Sequence, residues 1–453
     1  TDGDIAYIAL PFIQEYTNME YSVEQEPNRA IITSKWGEIE TAEVKKDTQV
    51  RYLGGVKSPI LTEVKKSDKV TVLEDEDDWM KVATADGYVG YIKTKFLKNQ
   101  KKEKTSRDFT EPVYSDMTED HSINMAWHNV TNAAANNAVQ QVLASTSGLT
   151  TIAPTWFSLA DTEGNISSIA DADYVNYAHT AGLEVWAVFR DFHGGTNSYD
   201  ETYETLRYTS KRAKLEDQVV AAAVAAGVDG INLDFELISS KCGVHYVQLV
   251  RELSVKCHQN NLVFSVDNYV PQSYNSHYDL KEQGIVADYV VIMAYDEHTE
   301  GSYEAGSVAS ISYLQDGIEK TLKKVSADKV IAGIPFFTRL WFETAKSPEQ
   351  LSEEAGTEAA SYPNKVSSKA LGMEEAAQSV VNAGATAQWD EKTQQNYAKW
   401  SADGGTYRIW LEDAQSLEAK LKVIQENKLA GVAEWSLGKE ESSVWKLISQ
   451  YVN

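Results

Sequence analysis

The chain has 453 residues, more than a single hydrophobic core accommodates, so more than one domain is expected. A formal charge of −25 offers no basic stripe to meet phosphates, which argues against nucleic acid and anionic membrane surfaces and favours neutral or cationic partners. No apolar run approaches the length of a bilayer span, so no integral membrane segment is expected, and no signal peptide is visible. The start at Thr1 fits a processed chain from which an export or anchoring segment has been removed.

Residues 1–55 mix an apolar stretch, YIALPFIQEYTNM, with strand-like runs such as RAIITSKW and TQVRYLGG, and read as a small α+β module. Residues 56–100 read as short strands broken by turns, with alternating apolar positions and a DG turn in DWMKVATADGYVGYIKTKFL. Trp79-Met80-Lys81-Val82 followed by Gly87-Tyr88-Val89-Gly90-Tyr91-Ile92 resembles the bacterial SH3-like domains of cell-wall proteins. An SH3-like β-barrel is therefore predicted here, with a plain five-stranded spacer as the alternative. Residues 101–120 lie in a polar, charged stretch around KNQKKEKTSRDFTEP with almost nothing to bury, as in a linker.

Over residues 121–453 strand-like runs alternate with helical patterns: INMAWHNV, TTIAPTWFSL, LEVWAVFRDF, VDGINLDFEL, LVFSVDNYV, ADYVVIMAYDEH, KVIAGIPFFTRLW and AGVAEWSLG. These eight repeats predict an α/β fold, a (β/α)8 TIM barrel whose working residues stand at the C-terminal ends of its strands. Polar residues gather at those ends. Arg190 and Asp191 close the third run, Asn232, Asp234 and Glu236 the fourth, Asp267 and Asn268 the fifth, and Tyr295 and Asp296 the sixth. Arg339 and Trp341 follow the seventh, and Trp435 ends the eighth. The gap between the seventh and eighth runs exceeds one βα connection and predicts a small α+β insertion at about 342–428. Its Trp389, Tyr397 and Trp410 either wall a sugar cleft or form the insertion's own core.

Cys242 and Cys257 flank a segment of helical periodicity; at about 1.5 Å per residue they stand roughly 20 Å apart, so free thiols are expected. Neither has metal-ligand spacing, and His128, His193 and His298 form no H-x-x-x-H pair, so no metal or cofactor is expected.

In GVDGINLDFEL, residues 227–237, strand parity puts Asn232, Asp234 and Glu236 on one face and Ile231, Leu233 and Phe235 on the other. A buried row of this kind is either a satisfied ion-pair network or a catalytic row. The stretch is similar to the D-x-x-D-x-D-x-E signature of family 18 glycoside hydrolases: Asp229, Asp234 and Glu236 match, and Asn232 replaces the second aspartate. MAYD, with Met293, Tyr295 and Asp296, resembles the family's sixth-strand motif, and Trp435 falls where the family has its eighth-strand tryptophan. The resemblance spans roughly residues 122–453. The N-x-D-F-E variant, the WDE and EDAQS segments and the SH3-like module look most like bacterial cell-wall and spore-type N-acetylglucosaminidases.

The resemblance implies a retaining, substrate-assisted glycosidase that cuts β-1,4 linkages after N-acetylglucosamine in peptidoglycan or a chitin-like glycan. By that likeness Glu236 is the acid and later the base, Asp234 accepts the acetamido N–H, and Tyr295 donates to the acetamido oxygen. Asp296, Met293 and Asn232 contact substrate, Trp435 floors the −1 sugar, and Asp229 is structural. Trp127, Trp156 and Arg339 stand at strand ends, as cleft or packing residues. Asn232 is expected to donate its amide to Asp234. The implied partner is a GlcNAc-containing polysaccharide, met outside the cell or at its wall by a monomer. Two alternatives compete: a glycan-binding barrel without turnover, which Asn232 favours, and a metal-dependent barrel enzyme drawing a further ligand from Asp191, Asp267 or Asp296.

Overall fold

The computed structural model describes residues 7–110 and 116–452. The chain forms two compact units, Thr1–Ser115 and Asp116–Asn453.

In the first unit a short helix, Leu10–Tyr16, precedes an antiparallel hairpin of Glu20–Glu24 with Arg29–Thr33. A seven-stranded antiparallel sheet follows, running from Gly37–Val44 to Leu97–Thr105. Alternate residues of Trp79–Thr84 point inward, and Val44, Val50, Val82 and Ile92 form a dry core. The domain border expected between residues 55 and 56 falls inside this sheet. Gly37–Val44 pairs with both Lys69–Glu76 and Leu97–Thr105, and Thr48–Arg51 pairs with Ile60–Val64. GEIETAEV hides its strand character because its outward positions are glutamates, as suits a sheet with one wet face. The first five residues of the expected linker, 101–105, likewise complete the last strand. Residues 111–115 of that linker, and residues 1–6 of the first module, lie outside the described residues.

The second unit is a barrel of eight parallel strands: β1 (Ile123–His128), β2 (Thr151–Pro154), β3 (Glu184–Arg190), β4 (Gly230–Asp234), β5 (Val263–Tyr269), β6 (Tyr289–Met293), β7 (Val330–Pro335) and β8 (Gly431–Trp435). Pairing of β2 with β3 closes the ring. Ile231 and Leu233 of β4 join the layer between strands and helices, while Asn232 and Asp234 take the opposite face, inside the barrel. Asp229, just before β4, accepts the Val185 N–H at 2.8 Å and pairs with His179 at 2.8 Å, so it ties strand entrances together as expected. Cys242 and Cys257 are free and buried. Trp156 belongs to the layer outside the strands, where its indole N–H donates to Asn136 at 2.8 Å, so it packs rather than lining a cleft. No helix among the described residues is long and apolar enough to cross a membrane.

The insertion after β7 is a five-stranded antiparallel sheet drawn from Phe337–Ala345 through Gly405–Leu411, with helix Met373–Asn382 packed on one face. It therefore spans residues 337–411. Helix Ala414–Glu426, expected to belong to it, buries Leu417 and Leu421 in the barrel's outer layer instead. A fully buried ion pair joins the two: Lys420 Nζ lies 3.0 and 2.9 Å from the Glu412 carboxylate oxygens. One buried acid stands apart. Glu434 of β8 faces the outer layer between Ala126 and Ile334, wholly buried, with neither carboxylate oxygen hydrogen-bonded.

Candidate active site

A cavity of about 150 Å³ opens inside the C-terminal end of the barrel. Asp234, Glu236, Met293, Tyr295, Asp296, Trp127 and Trp435, all singled out in the sequence, line it, together with Phe192, Asp267 and Tyr269. Trp127 packs edge-on against Tyr295 and Trp435, with ring centroids 6.4 and 5.9 Å away. Gly333 of β7 leaves room for Tyr295: a Cβ there would lie 3.2 Å from the ring's Cε1 and 2.9 Å from the Ile292 carbonyl oxygen. Asp296 lines the cavity from a backbone φ of 59°, in the left-handed region that aspartate tolerates better than most residues.

Glu236 stands just beyond the end of β4, half-buried, and is held at both ends. Its backbone N–H donates to Asp191 Oδ1 at 2.8 Å, the next N–H donates to Asp191 Oδ2 at 3.0 Å, and Tyr269 donates its hydroxyl to Glu236 Oε2. Burial pushes the Glu236 carboxyl up; the Tyr269 hydrogen bond opposes this and nearby Asp296 adds to it. A rise in this direction favours the protonated form, which is what a proton donor needs. Asp234 is pushed well up by burial first, then by Glu236, Asp267 and Asp191, with Arg190 opposing. Its Oδ1 is buried without a hydrogen-bond partner.

Asn232 departs from expectation. It is fully buried below the cavity, where its Nδ2 donates to Ser265 at 2.9 Å and to Asp267 at 2.7 Å, and its Oδ1 accepts from the Trp127 indole at 3.0 Å. It neither lines the cavity nor donates to Asp234. The reason is spacing: residues two apart on a strand stand about 6.6 Å apart, whereas a neighbouring strand lies only about 4.8 Å away, so the amide reaches across the sheet.

Arg339 also lies off the cavity wall. Its Nη1 donates to Ser368 at 2.7 Å, and its charge, with that of Lys439, counters the burial that raises Asp296. Lys439 stands 5.9 Å from the centroid of the Trp435 ring. Asp191 spends its oxygens on backbone N–H groups and Thr202, which makes it a clamp rather than a metal ligand. Among the described residues no group of three or more His, Cys, Asp or Glu side chains could hold a metal ion. His128 is buried beside Tyr174, and burial lowers its pKa to about 4, so it stays neutral. Tyr269, Phe192 and Lys439 went unremarked in the sequence. Tyr269 closes the fifth run, where strand-end position was the available signal.

A parallel eight-stranded barrel with an acid, a second carboxylate and a tyrosine around an aromatic-floored pocket defines a glycoside hydrolase of the chitinase type. Residues 126–440 match glycosyl hydrolases family 18, and the chain belongs to that family. Residues 46–98 match the bacterial SH3 domain. Among curated relatives, the uncharacterized glycosylase YvbX of Bacillus subtilis (strain 168) is 26% identical over 295 residues, covering 63% of this chain and 80% of its own. The cortical fragment-lytic enzyme of the same organism is 27% identical over 256 residues; the match spans 54% of each chain, about half its length. Among solved structures, the Bacillus megaterium QM B1551 spore cortex-lytic enzyme SleL aligns with a TM-score of 0.61 at 20% identity over 78% of both chains. The chitinase of Chromobacterium violaceum ATCC 12472 aligns with a TM-score of 0.61 at 21% identity, over 73% of this chain and 98% of that one. These structural likenesses support the barrel fold.

Proposed function

We propose that this pocket hydrolyses the β-1,4 linkage after an N-acetylglucosamine in peptidoglycan or a chitin-like glycan, with retention of configuration. The observation that carries the reading is the convergence of Glu236, Asp234 and Tyr295 on one cavity beside Trp435. In the first step Glu236 gives its proton to the glycosidic oxygen as the C–O bond breaks, and the substrate's acetamido oxygen bonds to the anomeric carbon, giving an oxazolinium. Asp234 accepts the acetamido N–H and faces the positive charge that develops; Tyr295 donates to the acetamido oxygen. In the second step Glu236, now a carboxylate, takes a proton from water as its oxygen attacks the anomeric carbon and the ring opens. The names of the relatives, cortical fragment-lytic enzyme and chitinase, support a polymer of this class and action outside the cell.

The test is incubation with chitooligosaccharides and with purified peptidoglycan, followed by mass analysis of the products and NMR of their anomeric configuration. Retained configuration and inhibition by a thiazoline analogue of GlcNAc are expected. Equal cleavage of substrates lacking the acetamido group would remove Asp234 from its role. A glycan-binding barrel without turnover is the second reading, favoured by Asn232 at the position of an aspartate. Binding of these polymers with no product under any condition would establish it. The SH3 domain is read as an anchor on wall polymer: deletion of residues 1–100 should weaken pull-down with insoluble wall and leave the rate on soluble oligosaccharides unchanged.

A further inference from the structure

Asp267 is the cavity carboxylate on the strand next to Asp234, and the proposed reaction gives it no step. The register of β4 with β5 pairs Leu233 with Val266, so one step further on Asp234 and Asp267 stand side by side, on strands about 4.8 Å apart. Both line the cavity, and both are buried, at 8% and 2% exposure. Asp267 Oδ1 accepts the Asn232 amide, whereas Asp267 Oδ2 and Asp234 Oδ1 are each buried without a hydrogen-bond partner. Neither aspartate makes a salt bridge among the described residues; Glu236 and Asp191 add negative charge nearby, and Arg190 is the opposing cation. Two adjacent buried carboxylates without a paired cation do not both ionise at acceptable cost.

We propose that Asp267 is the proton-holding partner of Asp234: one proton sits between Asp267 Oδ2 and Asp234 Oδ1, and the pair carries a single negative charge. Asn232, itself fixed by Ser265 and Trp127, occupies Asp267 Oδ1 and so directs the proton to Oδ2. As positive charge develops on the acetamido nitrogen, the proton settles wholly on Asp267 and the negative charge on Asp234. No proton leaves the pair during the cycle. The direction of titration agrees, since burial raises Asp267 to about 8, opposed by the Asn232 hydrogen bond and, less, by Trp127, with Glu236 adding to the rise. Asp267 is thus a positioning residue acting through Asp234. Its catalytic part rests on the function proposed above; the shared proton does not.

The test is ¹³C NMR of protein labelled at the aspartate carboxyls, titrated in the wild type, in Asp267→Asn and in the exchanged variant Asn232→Asp/Asp267→Asn. In the wild type one carboxyl of the pair should be protonated at neutral pH and titrate above it. That signal should vanish in Asp267→Asn, leaving Asp234 to titrate in a single step, and a two-step pair should return in the exchanged variant. Two ionised carboxyls at neutral pH in the wild type, or an Asp234 titration that Asp267→Asn does not change, would overturn the proposal. In turnover, Asp267→Ala should lower kcat/KM on chitooligosaccharides by about 10- to 100-fold, and the exchanged variant should recover most of the loss. Wild-type rates in Asp267→Ala would overturn the catalytic part. Failure of the wild type on every GlcNAc polymer would refute the proposed function instead, with the NMR titration still deciding the pair.

Discussion

Glu236 owes its position to a residue on another strand. Asp191, at the end of β3, grips the two N–H groups where the chain leaves β4, and Tyr269 of β5 holds the far end of the side chain. Glu236→Gln keeps a carbonyl oxygen for Tyr269 but has no proton to give. Its kcat should fall about 10²- to 10⁴-fold while glycan affinity measured by calorimetry is retained. Gly333→Ala tests the opposite wall. The new methyl group meets both the Tyr295 ring and a backbone oxygen, so Tyr295 must tilt away. An overpacking cost of about 1–3 kcal/mol is expected in chemical denaturation, together with a fall in kcat/KM. The row in β4 was legible because parity alone decides which face a strand residue takes. The partner of Asn232 was not, because it lies on β5, and one strand's sequence does not state what its neighbour places alongside. Asp191 was visible at a strand end, but its part as a clamp was not, because the N–H groups it accepts lie on a different element.

At the scale of elements, the barrel's eight strands could be read in order because each is a short apolar run between helical patterns. Errors came at borders. Helix Ala414–Glu426 fell within the insertion expected at about 342–428, yet its apolar stripe belongs to the barrel. Strand Gly37–Val44, paired on both sides, was not among the strand-like runs read in residues 1–55. The Lys420–Glu412 pair now marks where insertion and barrel meet, with Gln395 and Ser416 also donating to Glu412. Lys420→Met should destabilise the second unit by about 3–5 kcal/mol, because a carboxylate is left in a dry site without its cation. Lys420→Met/Glu412→Leu should recover much of that loss in the same denaturant titration. A pair that mattered only for charge balance at the surface would show neither effect.

Across the whole molecule, the buried acids matter for stability as well as chemistry. Burial raises Glu434 well above its ordinary value, Glu216 to about 8 and Asp191 to about 7. An acid whose folded value lies above its unfolded one favours folding less as pH climbs from the unfolded value to the folded one, here from about 4 to about 8. The melting temperature should therefore decline from pH 5 to pH 8. Glu434→Gln, which removes an ionisation that only the unfolded chain can make cheaply, should raise it at pH 8 by more than at pH 4. The gain is at most about 1.4 kcal/mol per pH unit above the unfolded value. The solitary Glu434 under β8 has a consequence beyond its own strand. Burial without a hydrogen-bond partner makes the closed barrel favour the acid form of that carboxyl more than the unfolded chain does, so folding takes up protons from solution wherever the two forms differ. The heat of unfolding should then vary with the ionisation enthalpy of the buffer that accepts the released protons, and that dependence should shrink in Glu434→Gln.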